Sequence, residues 1–318
     1  MPDPCHLLIP GAVLPPGPDG VASLAPELPE LPALRQLLRV LAPGERIALD
    51  EDSPAMPHEV AVARAMGLPG APGHTPWAAL ETRTAGQPCA WIKACHWQMG
   101  MDHLVMAGPG ALTLDTAASD TLLAAMQPYF AEDGIALRAS AMPGAWLAVG
   151  EPLRRLRCVS IDRVAGRDVK PWITGPQADR SPAALLLQRL HSEMQMLFYT
   201  LPLNDERMRQ GLLPVNAFWV VGAGALDALP PARPGFKVER RLYAAAAEPA
   251  ARAQAWRAVD ADSCAWLLAQ SRQGAPVRLT LCGERAAQSF DTPPAAGWWQ
   301  RLKTRISPQR NTDLLHTL

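Results

Sequence analysis

The sequence predicts an α/β protein into which a small α+β layer is inserted. Three observations predict it. Short apolar runs bounded by Pro and Gly stand near both ends of the chain, "HLLIPGAV" at 6–13 and "VRLTLCG" at 277–283. Segments with apolar residues at helical spacing lie between them, as in "LPALRQLLRVLA" at 31–42. Residues 89–150 then read strand, helix, strand, strand, the pattern of a separate α+β layer. The 318 residues, 48% of them apolar, suffice for two modest domains or one large domain with an insertion.

Each element follows from local chemistry. His6–Val13 reads as a buried strand that "PPGPDG" terminates. Leu34, Leu37, Leu38 and Leu41 make one apolar helix stripe. "PHEVAVARAMGL" at 57–68 is a second helix, with Pro57 near its start. "PGAPGHTP" at 69–76 is a connector, and a soft boundary falls near Gly86. Residues 89–108 read as two strands broken at Gly100. Residues 113–134 are a helix opened by an Asp or Thr cap, and 135–150 are two strands around Pro143–Gly144. A helix follows from Pro182 to Tyr199, a buried strand over "NAFWVVGAG", and a long helix over 249–274 ended by Gly274. The resulting division is 1–86 and 181–290 for the core, 87–180 for the inserted layer, and 291–318 for a tail carrying Trp298 and Trp299.

Composition narrows the function. Thirty basic residues balance thirty acidic ones, which argues against nonspecific nucleic-acid binding. Arg far outnumbers Lys, a bias that suits bidentate binding of phosphate or carboxylate and that a biased genome also produces. The six Cys are scattered without a C-x-x-C pair, so reduced thiols in a cytoplasm are expected. "HLLIPGAVL" is too short to span a membrane.

The most informative stretch is "LFYTLPLNDERMRQGLLPVNAFWVVGAG", Leu197–Gly224. Pro202 stops the preceding helix, Asn204 suits an N-cap and Gly211 a terminator. Asn216 is a poor β-former at the head of an apolar strand, and Gly222 with Gly224 makes a glycine-rich exit. A polar side chain entering a buried strand before such a loop suits a ligand edge. This stretch resembles a segment of the archaeal-type cofactor-independent phosphoglycerate mutases. That family carries a pattern close to H-P-x-N-x-x-R, then G-x-x-P-A-N, then an apolar strand ending R-G-x-G. Pro202, Asn204, Arg207, Gly211, Pro214, Asn216, Gly222 and Gly224 fall on it in order, while Leu201, Val215 and Val221 depart from it. "SIDRVAGRDV" at 160–169, with Arg163 and Arg167, resembles the family's D-R-R-A-G-R string, though here it follows the α+β layer instead of preceding it. Two Arg around a small-residue turn could clamp an anion, or pair with Asp162 and Asp168. The chain also resembles, nearly end to end, an uncharacterised proteobacterial group labelled regulatory protein of the pathogenicity-factor E type. "HLLIP", "HWQMGMDH", "SEMQMLFYTLPLND" and "LTLCGER" carry that likeness.

The mutase resemblance implies an alkaline-phosphatase-type sheet with a ferredoxin-like insertion, and phosphoryl transfer through a Ser on two divalent metals. Such a site needs several carboxylates and His on two ions. Here the first strand leads into "PGAVLPPGP" with no acid before Asp19, and after His191 the next His is His316. "DEDSPAMPHE" at 50–59 is the nearest candidate for a Ser among acids, or a solvated loop with Ser53 capping. The expectation is therefore a reduced, metal-free and catalytically degenerate relative with no cofactor. It would bind a small phosphorylated or carboxylated ligand through Arg163, Arg167, Asn204, Arg207, Asn216, Gly222 and Gly224, in a regulatory role. An active metal-dependent phosphotransferase and a protein-interaction module are the alternatives. His96, Asp102 and His103 read as a polar network, a ligand pocket or a metal site of no standard spacing. His191 and Glu193 read as members of a structural network, Glu193 seeking an Arg partner on an apolar helix face.

Overall fold

The computed structural model describes residues 4–13, 29–108, 110–244 and 248–293. They form two compact units. One takes residues up to Glu51, Met56–Met66 and those from Pro231 on; the other takes Asp52–Ala55 and Gly67–Pro230. Trp298 and Trp299 lie outside the described residues.

The chain opens in the first unit with β1 (Cys5–Ile9), α1 (Pro32–Val40), β2 (Ala42–Ala48) and α2 (Pro57–Met66). The second unit follows with α3 (Trp77–Glu81), β3 (Cys89–Cys95), β4 (Trp97–Met99), β5 (Leu104–Met106), α4 (Thr116–Glu132), β6 (Ala136–Ala139) and β7 (Ala145–Val149). It continues with the short helices α5 (Ile161–Val164) and α6 (Lys170–Ile173), then α7 (Pro182–Tyr199), α8 (Pro202–Arg209) and β8 (Ala217–Gly224). The chain then returns to the first unit with β9 (Phe236–Val238), α9 (Arg241–Ala244), α10 (Pro249–Val259), α11 (Ala265–Arg272), β10 (Val277–Cys282) and β11 (Ala286–Asp291).

The first unit is built on a five-stranded sheet of order β2-β11-β10-β1-β9. β1 runs parallel to both β10 and β9, while β11 is antiparallel to β10 and β2. Strand side chains alternate between faces, so Leu7 and Ile9 of β1 and Leu279 and Leu281 of β10 enter one core. There they meet Leu34 and Leu37 of α1, Trp256 of α10 and Leu267 of α11. β2 was not expected. Its Pro43 and Gly44 oppose strand formation in the sequence, but β2 is an edge strand, where Pro is tolerated. The predicted helix over 249–274 is α10 and α11 joined by one π-helical turn, Asp260–Cys264. That turn aims the Asp260 carboxylate at the free backbone N–H groups of Ala33 and Leu34, 3.1 and 2.7 Å away. Asp260 thus caps α1, whose own flanking residue Leu31 offers no side-chain oxygen.

The second unit holds a four-stranded sheet of order β6-β7-β3-β8, in which every neighbouring pair is antiparallel. Its path is strand, helix, strand, strand, helix, strand: β3, α4, β6, β7, α7, β8. The boundary expected near residue 180 is corrected here. α7 and β8 complete this sheet, because β8 pairs along the whole of β3. Ile92, Trp146, Phe218 and Val220 face α4 and α7 and pack on Leu122, Met126, Phe130, Leu190, Met194 and Phe198. Burying each such large side chain contributes about 1.5–3 kcal/mol. α4 begins as expected at Asp115, whose side chain accepts from Ala118 N at 2.7 Å. Gly100 lies in the turn of the β4–β5 hairpin, so residues 89–108 form three strands where two were expected.

Candidate anion site

The residues singled out in Leu197–Gly224 make a joint of backbone and side chain. Asn204 is buried and sits inside α8, not before it as a cap. Its Nδ2 donates to Phe198 O (2.8 Å) and Val215 O (2.7 Å), and its Oδ1 accepts from Val215 N (2.8 Å). The side chain therefore ties the end of α7 to the entry of β8. Arg207, also buried, donates from Nε to Leu213 O (2.9 Å) and from Nη1 to Thr113 O (2.8 Å). Its desolvation pulls the guanidinium pKa down, opposed by Asp115. Asn216 accepts from Trp97 N (2.7 Å) and donates to Trp97 O (2.8 Å), continuing strand-like pairing toward β4.

Gly222 and Gly224 stand at the other end of β8. Both have left-handed φ, +67° and +141°. A Cβ on Gly222 would meet Trp77 Cβ at 2.7 Å, and one on Gly224 would meet Pro76 Cβ at 2.9 Å. They let α3 approach the strand. Asn216 and Gly222 are six positions apart in extended chain, or about 20 Å at 3.3 Å per residue. One pocket bordered by both ends, as expected from the sequence, is thereby corrected: a strand holds its ends apart.

Arg163 is buried on α5, with Nη2 donating to Ala55 O (3.2 Å). Arg167 receives Met106 N on its backbone carbonyl (3.1 Å), and Asp168 accepts Leu104 N (2.9 Å). The 160–169 turn thus pins the β4–β5 hairpin. His96 Nδ1 donates to Pro214 O (2.8 Å), while Asp102 and His103 sit exposed at the hairpin turn. Among the described residues no group of three or more His, Cys, Asp or Glu is disposed to hold a metal ion. His191 donates from Nε2 to Phe218 O (3.0 Å), and burial pushes its pKa down to about 4. Glu193 finds its cation on its own helix, Arg189 at 2.7 Å, rather than in Arg163 or Arg167. A cavity of about 80 Å³ in this unit is lined by His191 and Trp219 but by none of the seven expected ligand residues.

The first unit carries a different polar set. With Leu7 and Leu279 turned into the core, His6, Arg278 and Thr280 fall on the opposite sheet face, the one covered by α2. Strand pairing sets them side by side: His6 opposite Arg278, Thr280 opposite Ser289, Arg278 opposite Asp291. His6 Nε2 lies 2.8 Å from Thr280 Oγ1, which lies 3.0 Å from Ser289 Oγ. Arg278 Nε donates to Asp291 Oδ1 (2.5 Å). Burial pushes the His6 pKa down to about 4, helped by the positive charges of Arg278 and Arg233 and opposed by Asp291. His6 is therefore neutral at pH 7.

This face floors a cavity of about 440 Å³. Besides His6, Arg278, Thr280 and Ser289, it is lined by Arg64 and Ala65 of α2, by Glu45, and by the segment Ala232–Phe236 with Arg233. Arg64 is paired with Glu45, and Arg233 donates to Ala65 O. Three guanidinium groups line it, and Glu45 and Asp291 pair with two of them, so the wall keeps an excess of one positive charge. Such a wall, with two hydroxyls between cations, suits an oxyanion with several acceptor oxygens. The sequence signal was present but unused: in "VRLTLC" the polar residues hold alternate positions of a buried strand.

No family model and no curated protein matches the chain. Among solved structures it is distantly similar to a cofactor-independent phosphoglycerate mutase from Thermoplasma acidophilum DSM 1728. That match has 16% identity and a TM-score of 0.37, covering 93% of this chain and 91% of that one. A second similarity is to the PH0037 protein from Pyrococcus horikoshii, at 11% identity and a TM-score of 0.45, covering 100% of this chain and 99% of that one.

Proposed function

We propose that this protein binds a small phosphorylated or carboxylated ligand in the Arg-lined cavity of its first unit. In this reading it is a catalytically degenerate relative of the cofactor-independent phosphoglycerate mutases that serves regulation. One observation carries the binding site: His6, Arg278, Thr280 and Ser289 stand together on one sheet face, floor a cavity of about 440 Å³, and share it with Arg64 and Arg233. Arg278 gives Nε to Asp291, and among the described residues no hydrogen bond takes up its two terminal nitrogens. With His6 Nε2 donating to Thr280 and Thr280 to Ser289, the Ser289 hydroxyl proton is left as a donor, and neutral His6 adds no competing charge. The degenerate reading rests on the sequence, where the acid after the first strand and the C-terminal His and Asp of the mutase pattern are missing. The strand order and path of the second unit support reading it as a ferredoxin-like layer.

Calorimetric titration of the full chain with inorganic phosphate, 3-phosphoglycerate and citrate tests the binding. Arg278→Ala is expected to weaken binding about tenfold or more, the worth of a charge-assisted hydrogen bond. Equal affinity in wild type and variant overturns the assignment. An enolase-coupled assay with added Mn²⁺ tests the loss of catalysis. Turnover above about 1 s⁻¹, the low end for ordinary enzymes, overturns it.

A further inference from the structure

We infer that the ligand of this cavity is a mononucleotide, a phosphate monoester that carries a planar base. The inference rests on the proposal that the cavity binds an anion, and goes on to name the anion's body. A volume of about 440 Å³ falls in the range of about 300–1,000 Å³ that holds a whole organic ligand. A bare phosphate or a three-carbon phosphorylated acid would occupy the Arg278 side and leave most of that space to water. The rest of the lining is not built for water. α2 contributes Ala61 and Ala65, β2 contributes Ile47, and the segment entering β9 contributes Pro234 and Phe236.

Phe236 is half-buried and packs on the His6 ring, with centroids 4.9 Å apart. The aromatic surface is therefore held in place beside the cationic one before any ligand arrives. A flat base covers such a surface; a sugar phosphate, polar on all sides, does not. Glu45 points the same way. Its carboxylate gives one oxygen to Arg64, which offsets its charge, and its second oxygen can accept a hydrogen bond from a ligand with donors away from its phosphate. Ribose hydroxyls and exocyclic amino groups are such donors. Phosphate on Arg278, Thr280 and Ser289, base against Phe236 and Pro234, and ribose toward Glu45 use each part of the lining once.

The test is calorimetry or saturation-transfer NMR on the full chain, with five kinds of probe. These are the four ribonucleoside monophosphates, adenosine, ribose 5-phosphate, inorganic phosphate, and a 5′-phosphorylated oligonucleotide. At least one monophosphate is expected to bind about tenfold more tightly than ribose 5-phosphate, the scale of one base stacked on an aromatic ring. Phe236→Leu keeps an apolar side chain beside His6 but no ring, and is expected to abolish that advantage while leaving inorganic phosphate unchanged. If no monophosphate exceeds ribose 5-phosphate while both bind, the nucleotide assignment falls and the anion site stands. If no phosphorylated probe binds to folded protein, the anion site falls as well. Tighter binding of the oligonucleotide than of any monophosphate overturns the free nucleotide as the ligand.

Discussion

Two buried polar sets, one in each unit, use similar residues to opposite ends. Asn204, Arg207 and Asn216 give their hydrogen bonds to backbone groups of Phe198, Val215, Leu213, Thr113 and Trp97. They do the work of secondary structure where the chain turns. His6, Thr280 and Ser289 instead bond to one another, and Arg278 gives Nε to Asp291 while lining the cavity. Residue type does not distinguish a joint from a site. What distinguishes them is where the remaining donor lies: Arg207 Nη2 has no partner among the described residues but is sealed in the interior, whereas Arg278 lines an open cavity.

The largest effect that can break this comparison is that of pH on stability. His6 and His191 belong to different sets, and both rings are held to a pKa of about 4 by burial, against an ordinary 6.5. Unfolded, each ring takes up a proton as pH falls through 6.5; folded, each stays neutral until about 4. Stability is therefore full above 6.5, falls between 6.5 and 4, and levels off below, by roughly 3 kcal/mol for each ring. Denaturation midpoints at neutral and acid pH should show the loss, and His6→Gln and His191→Gln should each remove part of it. A flat profile would mean the rings are more solvated than their packing implies. Added phosphate sharpens the comparison, since it should raise the His6 pKa by NMR titration and leave that of His191 where it is.

Next in size is the joint. Asn204→Leu strands Val215 N, Val215 O and Phe198 O in a buried site. It should cost about 3 kcal/mol or more, at 1–3 kcal/mol for each unsatisfied group. Urea denaturation measures it, with phosphate affinity unchanged. Arg207→Met removes two bonds to carbonyls and should cost about 2 kcal/mol, again without effect on phosphate. A loss of phosphate affinity in either variant would return the second unit to candidacy as the binding site. The smallest effect is at Glu193. Its pair with Arg189 is a partly exposed i,i+4 contact, so Glu193→Gln should cost no more than about 0.5 kcal/mol in the same denaturation.

The sequence discloses what is local. α4, α7 and the β6–β7 turn at Pro143–Gly144 follow from periodicity, from Asp115 and Ser181 as caps, and from a positive-φ glycine. β2 and β9 escape as edge strands, β9 with three residues, and β11 escapes because "AAQSFD" is buried on both faces and carries no apolar–polar alternation. Asn204 misleads because Asn before a short polar helix fits a cap, whereas its true partner lies 11 residues on. The cavity is the hardest to see. His6 and Thr280 are 274 residues apart in the chain, and only the β1–β10 pairing makes them neighbours.

That same pairing sets an order of events during synthesis. β1 leaves the ribosome first, but the strands on either side of it begin at Phe236 and Val277. α1 waits equally for Asp260. At about 5–20 residues per second, the first strand and helix spend tens of seconds without partners while the second unit, nearly all of it the run Gly67–Pro230, emerges and folds. A nascent chain stalled once Pro230 has cleared the ribosomal exit tunnel, before Val277 has emerged, should therefore resist protease over 67–230 and be cut within its first fifty or so residues. Early "LLI" and "LRQLLRVL" are then the segments most exposed to chaperones, and any defect in the last third of the chain is felt first at its beginning.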